Sequence, residues 1–219
     1  MHSGKHGMLR FNVYNRLRDD ILNQIYKKGE ALTESKITKD LGVSRTPVRE
    51  AFAQLQIDGL VDGIPNKGVI VRGLSILDIQ DMYDIRAYIE GVAAKRACEN
   101  ITSEKLELLE ESILKEEEYT RNKDYHGFQS SDFDFHDVII KSSNSRIFEN
   151  LLISMIQYTR IARVKSLSLD GRAQETLKEH QAIYGAMKSH NETQAKELME
   201  MHVKNAKKSF IKTLIEKEI

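Results

Sequence analysis

The ten residues at positions 41–50, Leu-Gly-Val-Ser-Arg-Thr-Pro-Val-Arg-Glu, constrain this chain more than any other stretch. Gly42 can take the positive φ that a short connection between two helices requires. Ser44 is a suitable N-cap, and Pro47 falls in the first turn of the next helix, where a missing N–H leaves nothing unsatisfied. Val48, Ala51, Phe52 and Leu55 then recur at helical spacing as one apolar stripe, leaving Arg45, Thr46 and Arg49 together on the opposite face.

The flanking residues give that turn its context. Residues 32–41 predict a short helix with Leu32, Ile37 and Leu41 inward, so the pair forms a helix-turn-helix. Residues 58–72 predict two short strands around a Pro-Asn-Lys-Gly turn, which is a wing. Arginines one turn apart near the start of the second helix can carry guanidinium forks to guanine edges in a major groove. An exposed arginine pair is also compatible with a plain solvated face, and it is the adjoining helix and wing that favour DNA.

At these residues the chain resembles the GntR family of bacterial transcription regulators, whose winged-helix domain carries a run very like Leu-Gly-Val-Ser-Arg-Thr-Pro-Val-Arg-Glu-Ala followed by a leucine and an acid-Gly-Leu. The resemblance implies that Arg45 and Arg49 read bases or clamp phosphates and that Ser44 and Thr46 contact backbone. It also implies that Asn66, Lys67 and Gly68 form the wing tip near the minor groove. Two positions depart from the pattern. Lys28-Gly29 stands where Pro-Gly is usual, and Ser35 stands where some members carry a DNA-contacting arginine, with Lys36 beside it as the candidate substitute.

A formal net charge of zero is unexpected for a DNA binder until the chain is divided. Of 33 basic and 33 acidic residues, positions 1–74 hold 12 and 8, which leaves 21 and 25 for the remainder. The basic portion supplies phosphate attraction and the acidic portion stays off the nucleic acid. No run approaches the length of a membrane span, and the first residues lack the apolar core of a signal peptide, so the expected location is cytoplasmic. Cys98 is the single cysteine, which excludes an intramolecular disulfide and a thiolate metal site and reads as a small apolar helix residue.

In chain order, residues 1–8 read as a disordered N-terminus. Residues 9–74 form the winged helix-turn-helix domain, opening with an amphipathic helix over 11–26 that turns Tyr14, Leu17, Ile21 and Ile25 to one face. Both prolines lie in this domain. Residues 76–219 are helical text broken by short punctuation, and they predict about six helices over 76–99, 103–121, 124–142, 146–166, 171–189 and 192–217, with a cap former in each break. The expected fold is mainly α, a three-helix winged helix with a β-hairpin followed by an all-α bundle.

Four residues of that bundle sit where apolar side chains belong. Asp132 and His136 share the inward face of Phe128, Phe135 and Ile139. His180 falls among Leu177, Ile183, Tyr184 and Met187, and His202 among Ala195, Leu198, Met199 and Ala206. An unpartnered buried carboxylate is costly, and a divalent ion held by three histidines and one aspartate resolves the cost; zinc, nickel and manganese all suit such a set. An Asp-His hydrogen-bonded pair with two unrelated core histidines is the neutral alternative. His126 and His190 fall at helix ends, where exposure is the default.

Residues 78–215 resemble the effector-binding FCD domain of the FadR-type subgroup of these regulators. The matching pieces are Arg86-Ala-Tyr-Ile-Glu90, Asp132-Phe-Asp-Phe-His136, Glu179-His180 followed by Ile183, and Met201-His202. Ser145 departs from a frequent asparagine but serves the same capping role. The resemblance implies that the Asp and His positions bind a divalent ion whose shell a carboxylate effector completes, with Arg86 as an anchor for that carboxylate. An intrahelical pair between Arg86 and Glu90 is the plainer reading of the same residues. Arg160 follows Ile153 and Ile156 and is a second candidate for the cavity, with Arg163 equally suited to be its surface mate.

The sequence as a whole predicts a cytoplasmic transcription regulator. It would bind a near-palindromic double-stranded DNA operator as a homodimer and respond to a small organic acid at a metal site, with no membrane association. The competing class is an all-α metal-dependent hydrolase with an attached helix-turn-helix, since three histidines and a carboxylate can activate water. A protein-interaction module built on the winged helix is a third class, and it would not need Arg45 and Arg49 outward.

Overall fold

A computed structural model describes residues 3–65 and 67–215, and the chain divides into two compact units between Ile76 and Leu77. In the first unit α1 (Ser3–Leu22) precedes β1 (Ala31–Leu32), α2 (Glu34–Leu41), α3 (Arg45–Ile57), β2 (Val61–Ile64) and β3 (Gly68–Val71). Val13, Leu17 and Ile21 of α1 meet Val48, Ala51, Phe52 and Leu55 of α3 in the core of this unit. Burying each of the valine, leucine, isoleucine and phenylalanine side chains among them contributes about 1.5–3 kcal/mol.

Three expectations are corrected here. Residues 3–8 belong to α1 instead of a disordered N-terminus, continuing through Gly4 and Gly7 the helix whose Val13-Leu17-Ile21 stripe is anchored in the core; Met1 and His2 lie outside the described residues. The same helix stops at Leu22, short of Tyr26, because Gln24 adopts φ +60°, and Ile25 is left 60% exposed. Leu32 sits on a strand before α2, and the wing is accordingly one part of a three-stranded antiparallel sheet ordered β1-β3-β2. A two-residue strand has too few residues to show a period of its own.

The sheet register explains one glycine. Leu32 pairs with Val69 and Ile64 pairs with Gly68, so β1 crosses the end of the wing hairpin. A Cβ on Gly68 would stand 2.2 Å from the Leu32 carbonyl oxygen, and its φ of +104° is foreign to L side chains. Only glycine closes the wing at this point.

The second unit is built from α4 (Ile76–Asn100), α5 (Ser103–Asn122), α6 (Tyr125–Ser142), α7 (Arg146–Leu167), α8 (Arg172–Lys188) and α9 (Glu192–Ile215). These follow the predicted helices closely; residues 216 and 217 of the last one lie outside the described residues. Thr102, Asp124 and Ser145 cap α5, α6 and α7 by accepting from the backbone N–H three residues on. At α8 the cap position is Gly171 in the left-handed region, with no side-chain bond. Cys98 is buried among Ala94, Ala97 and Ala186, as a small apolar residue would be. One continuous core runs through Tyr83, Phe135, Ile139, Ile183, Met187, Met199 and Phe210, and the polar cluster described below is set into it.

Candidate nucleic-acid interface and metal centre

The turn between α2 and α3 is closed by Gly42 at φ +65°, whose N–H donates to the Thr38 carbonyl. Ser44 holds the N-cap position of α3 without a side-chain cap bond. Arg45, Thr46 and Arg49 are exposed, while Pro47 and Val48 are buried beneath them. Arg45 and Arg49 line a groove shared with Ser35 of α2 and with Ile64, Pro65, Lys67 and Gly68 of the wing. Asn66 lies outside the described residues.

Two of the predicted cations already hold acidic partners. Arg49 Nε donates to Glu34 Oε1 at 2.7 Å across the helix-turn-helix. Lys36 pairs with Glu30 at 3.0 Å and lies over the Tyr26 ring. Both carboxylates are local competitors for the phosphates that these cations would otherwise meet.

In the second unit Asp132 and His136 (α6), His180 (α8) and His202 (α9) are all fully buried, and their candidate ligand atoms lie within 4.8 Å of one another. His202 Nε2 is 3.2 Å from His136 Nε2 and 3.4 Å from His180 Nε2. Asp132 Oδ1 is 3.7 Å from His180 Nε2. The i, i+4 step on α6 brings Asp132 and His136 to one face, and the α8 and α9 residues arrive from the opposite side of the core. Phe135 stacks on the His180 ring with centroids 4.1 Å apart and fixes its plane.

The outer nitrogen of each imidazole faces a carboxylate. His136 Nδ1 approaches Glu90 Oε2 at 2.5 Å, off the ideal hydrogen-bond line. His180 Nδ1 reaches both oxygens of Glu116 at 2.8 Å, and His202 Nδ1 reaches Glu179 Oε2 at 2.7 Å. With the protons of His180 and His202 on Nδ1 toward Glu116 and Glu179, their Nε2 lone pairs face one centre, and His136 Nε2 lies with them. Glu179 is itself held by a bidentate pair with Arg172 and by Asn205 Nδ2.

Burial and charge act against each other throughout. Burial raises the Asp132 carboxyl, but Arg163 and the three histidines outweigh it and hold the group below its ordinary value. Burial lowers His136 and lowers His202 further, because His180, His136 and Arg163 add to it there, against the pull of Glu179. Burial raises Glu116 more than His180 lowers it.

The donor set fits a divalent transition metal. A tetrahedral ion bound at 2.0–2.1 Å spaces its ligand atoms about 3.3 Å apart, close to the two Nε2 separations. Glu116 and Glu179 supply to His180 and His202 the outer hydrogen bonds that orient metal-bound imidazoles, and Glu90 stands in the same place against His136.

Arg86 is fully buried and makes the predicted pair with Glu90, Nε to Oε1 at 2.6 Å; Nη1 donates to Thr159 Oγ1 at 2.6 Å. Its Nη2 has no hydrogen-bond partner among the described residues, and the same holds for Tyr83 Oη and Arg163 Nη1. The two α7 arginines are reversed relative to expectation. Arg160 is exposed and donates to Gln129 Oε1 at 2.7 Å, whereas Arg163 is buried, ion-paired with Asp132 Oδ1 and 3.0 Å from His202 Nε2. The buried Ile156, Thr159 and Arg163 define the inner face of α7, and Arg160 lies off it.

Sequence reasoning missed Arg163, Glu116 and the supporting role of Glu90 and Glu179. A signal existed for two of them. Glu116 continues the Leu109-Ser112-Ile113 stripe of α5, and Arg163 continues the Ile156-Thr159 stripe of α7, so each is a charged residue at a core position.

A winged helix with a cationic helix face, followed by a helical unit with a buried three-histidine cluster, defines a DNA-binding regulator with a separate second domain. Residues 9–71 match the bacterial regulatory proteins of the gntR family, and residues 81–205 match the FCD domain. The chain belongs to the gntR family of bacterial regulators and carries its FCD domain. It is 30% identical to the HTH-type transcriptional regulator YdhC of Bacillus subtilis (strain 168), covering 86% of this chain and 85% of that one. It is 27% identical to the HTH-type transcriptional repressor RspR of Escherichia coli (strain K12), covering 90% and 86% respectively. The E. coli McbR/YncC structure shares the fold with a TM-score of 0.73 at 21% identity, covering 90% of this chain and 94% of that one. Both families are transcription regulators, so the chain is a DNA-binding regulator and not a metal-dependent hydrolase. No helix among the described residues is long and apolar enough to cross a membrane.

Proposed function

We propose that this regulator is a cytoplasmic repressor of the FadR-type subgroup. As a homodimer it binds a near-palindromic operator, and its affinity for that operator is set by a small organic acid bound at a divalent metal centre in the FCD domain. The single observation that carries this reading is the convergence of three Nε2 lone pairs and Asp132 Oδ1 on one point, beside buried donors without partners.

Asp132, His136, His180 and His202 would hold the ion, with zinc, nickel or manganese compatible with the donors. The bound ion supplies a Lewis-acidic site for an anionic oxygen. Glu90, Glu116 and Glu179 orient the three imidazoles, and Arg86 offers a second anchor for a carboxylate through its unpartnered Nη2. At the other end of the chain Arg45 and Arg49 reach the operator, with Ser44, Thr46 and Lys36 as backbone contacts and Lys67 and Gly68 at the wing. Arg160, being exposed, has no part in this account of the acid site.

The test is elemental analysis and native mass spectrometry of the purified protein, followed by titration of candidate organic acids while operator affinity is measured. A stoichiometric divalent ion and an acid-dependent change in affinity are expected. Metal loading by His180→Ala with a normal acid response, or acid binding unchanged after metal stripping, would overturn the reading.

A further inference from the structure

We propose that Arg163 is the internal occupant of the four-ligand centre, and that a divalent ion enters only by expelling its guanidinium; this rests on the metal reading above. Arg163 Nη2 lies 3.0 Å from His202 Nε2 and 3.3 Å from His136 Nε2, and the same nitrogen pairs with Asp132 Oδ1. One nitrogen therefore engages three of the four ligand atoms. An ion needs the same imidazole lone pairs and the same carboxylate oxygen that Nη2 engages, so ion and Nη2 compete for them and are mutually exclusive.

The need for such an occupant follows from the outer carboxylates. With the Nδ1 protons of His180 and His202 directed at Glu116 and Glu179, their Nε2 atoms are acceptors, and His202 Nε2 faces those of His136 and His180 at 3.2 and 3.4 Å alongside a carboxylate. Buried acceptors without a donor carry their full desolvation cost. The guanidinium supplies both a donor and a positive charge, and it keeps the ligands in place.

The choice of arginine dictates how the ion gets in. A lysine could yield by losing a proton, but a guanidinium keeps its charge. An incoming dication meets a fixed cation, and the side chain has to move. Of its two terminal nitrogens only Nη2 is engaged, since Nη1 has no hydrogen-bond partner among the described residues. Metal affinity is thus the difference between two cations competing for one set of ligands.

The test compares wild type with Arg163→Met and Arg163→Gln. Each protein is stripped with a chelator, and zinc ion alone is titrated against a chromophoric competitor, with melting followed in the stripped and loaded forms. Both variants are expected to bind zinc at least tenfold more tightly than wild type, and to melt lower than wild type when stripped but close to it when loaded. If the stripped Met variant fails to fold while its zinc form folds, that is the expected loss of the internal cation, and the Gln variant carries the affinity measurement. Zinc affinity in Arg163→Gln equal to or weaker than wild type overturns the proposal alone. Wild-type protein that takes up no zinc overturns the metal reading with it.

Discussion

Arg49 is held by Glu34 in the absence of DNA, and the pair is largely exposed, so it contributes no more than about 1 kcal/mol. Glu34 engages Arg49 Nε and so competes with the operator for that guanidinium. Glu34→Gln is therefore expected to raise operator affinity by up to about fivefold, whereas Arg45→Ala and Arg49→Ala lower it, each losing about 1–3 kcal/mol of base discrimination where a bidentate guanine contact is removed. Gel-shift titrations of the three variants check the signs; an Arg49→Ala protein with undiminished affinity would remove that residue from the interface. Within the proposed metal centre Glu116 accepts a hydrogen bond from His180 Nδ1. Glu116→Ala should weaken zinc binding about 10–100-fold, measured by chelator competition, with His180 still present to distinguish orientation from ligation.

At the scale of elements, the wing depends on the close passage of β1 over its end. Gly68→Ala would drive a methyl group into the Leu32 carbonyl and force a left-handed backbone on alanine. A loss of more than about 1 kcal/mol of stability in the winged unit is expected. Hydrogen exchange at Val69 and Ile70 should rise in this variant while α4 to α9 stay protected; uniform protection would show that the strand contact is dispensable. The helices of the second unit are fixed more simply. Their caps lie at Thr102, Asp124 and Ser145, and removing one, as in Ser145→Ala, should cost about 1 kcal/mol. The α6 helix is the organising element there, because its inner face carries Phe128, Phe135 and Ile139 for the core along with Asp132 and His136 for the centre.

At the scale of the whole molecule, the proposed assembly places two chains, each with one small reading head, on one operator. Sedimentation without DNA is expected to show a homodimer, and a strict monomer at micromolar concentration that still binds DNA tightly would contradict the proposed assembly. An acid bound at the centre can alter transcription only through differential affinity for the two states of that dimer, with a coupling of about 1–3 kcal/mol. The same coupling must be visible in reverse. Operator DNA should change the affinity for the acid by the same factor, which calorimetry in the presence and absence of operator would measure.

The sequence by itself determined the winged helix and the order of the helices, because those rest on local properties. Gly42, Ser44 and Pro47 fix a turn and a helix start within ten residues, and the apolar stripes of α4 to α9 repeat every turn. It also brought Asp132, His136, His180 and His202 to notice, since a titratable side chain on an apolar face is visible in periodicity alone. The tertiary structure decided what surrounds them. Arg160 and Arg163 are three residues apart on one helix, and only the rotation of α7 against α6 and α9 buries the second and exposes the first. Glu116 enters from α5, 64 residues before its partner His180. Period and propensity describe how a helix turns about its own axis. Which side-chain ends meet at one point depends on how several such helices pack, and no single segment carries that information.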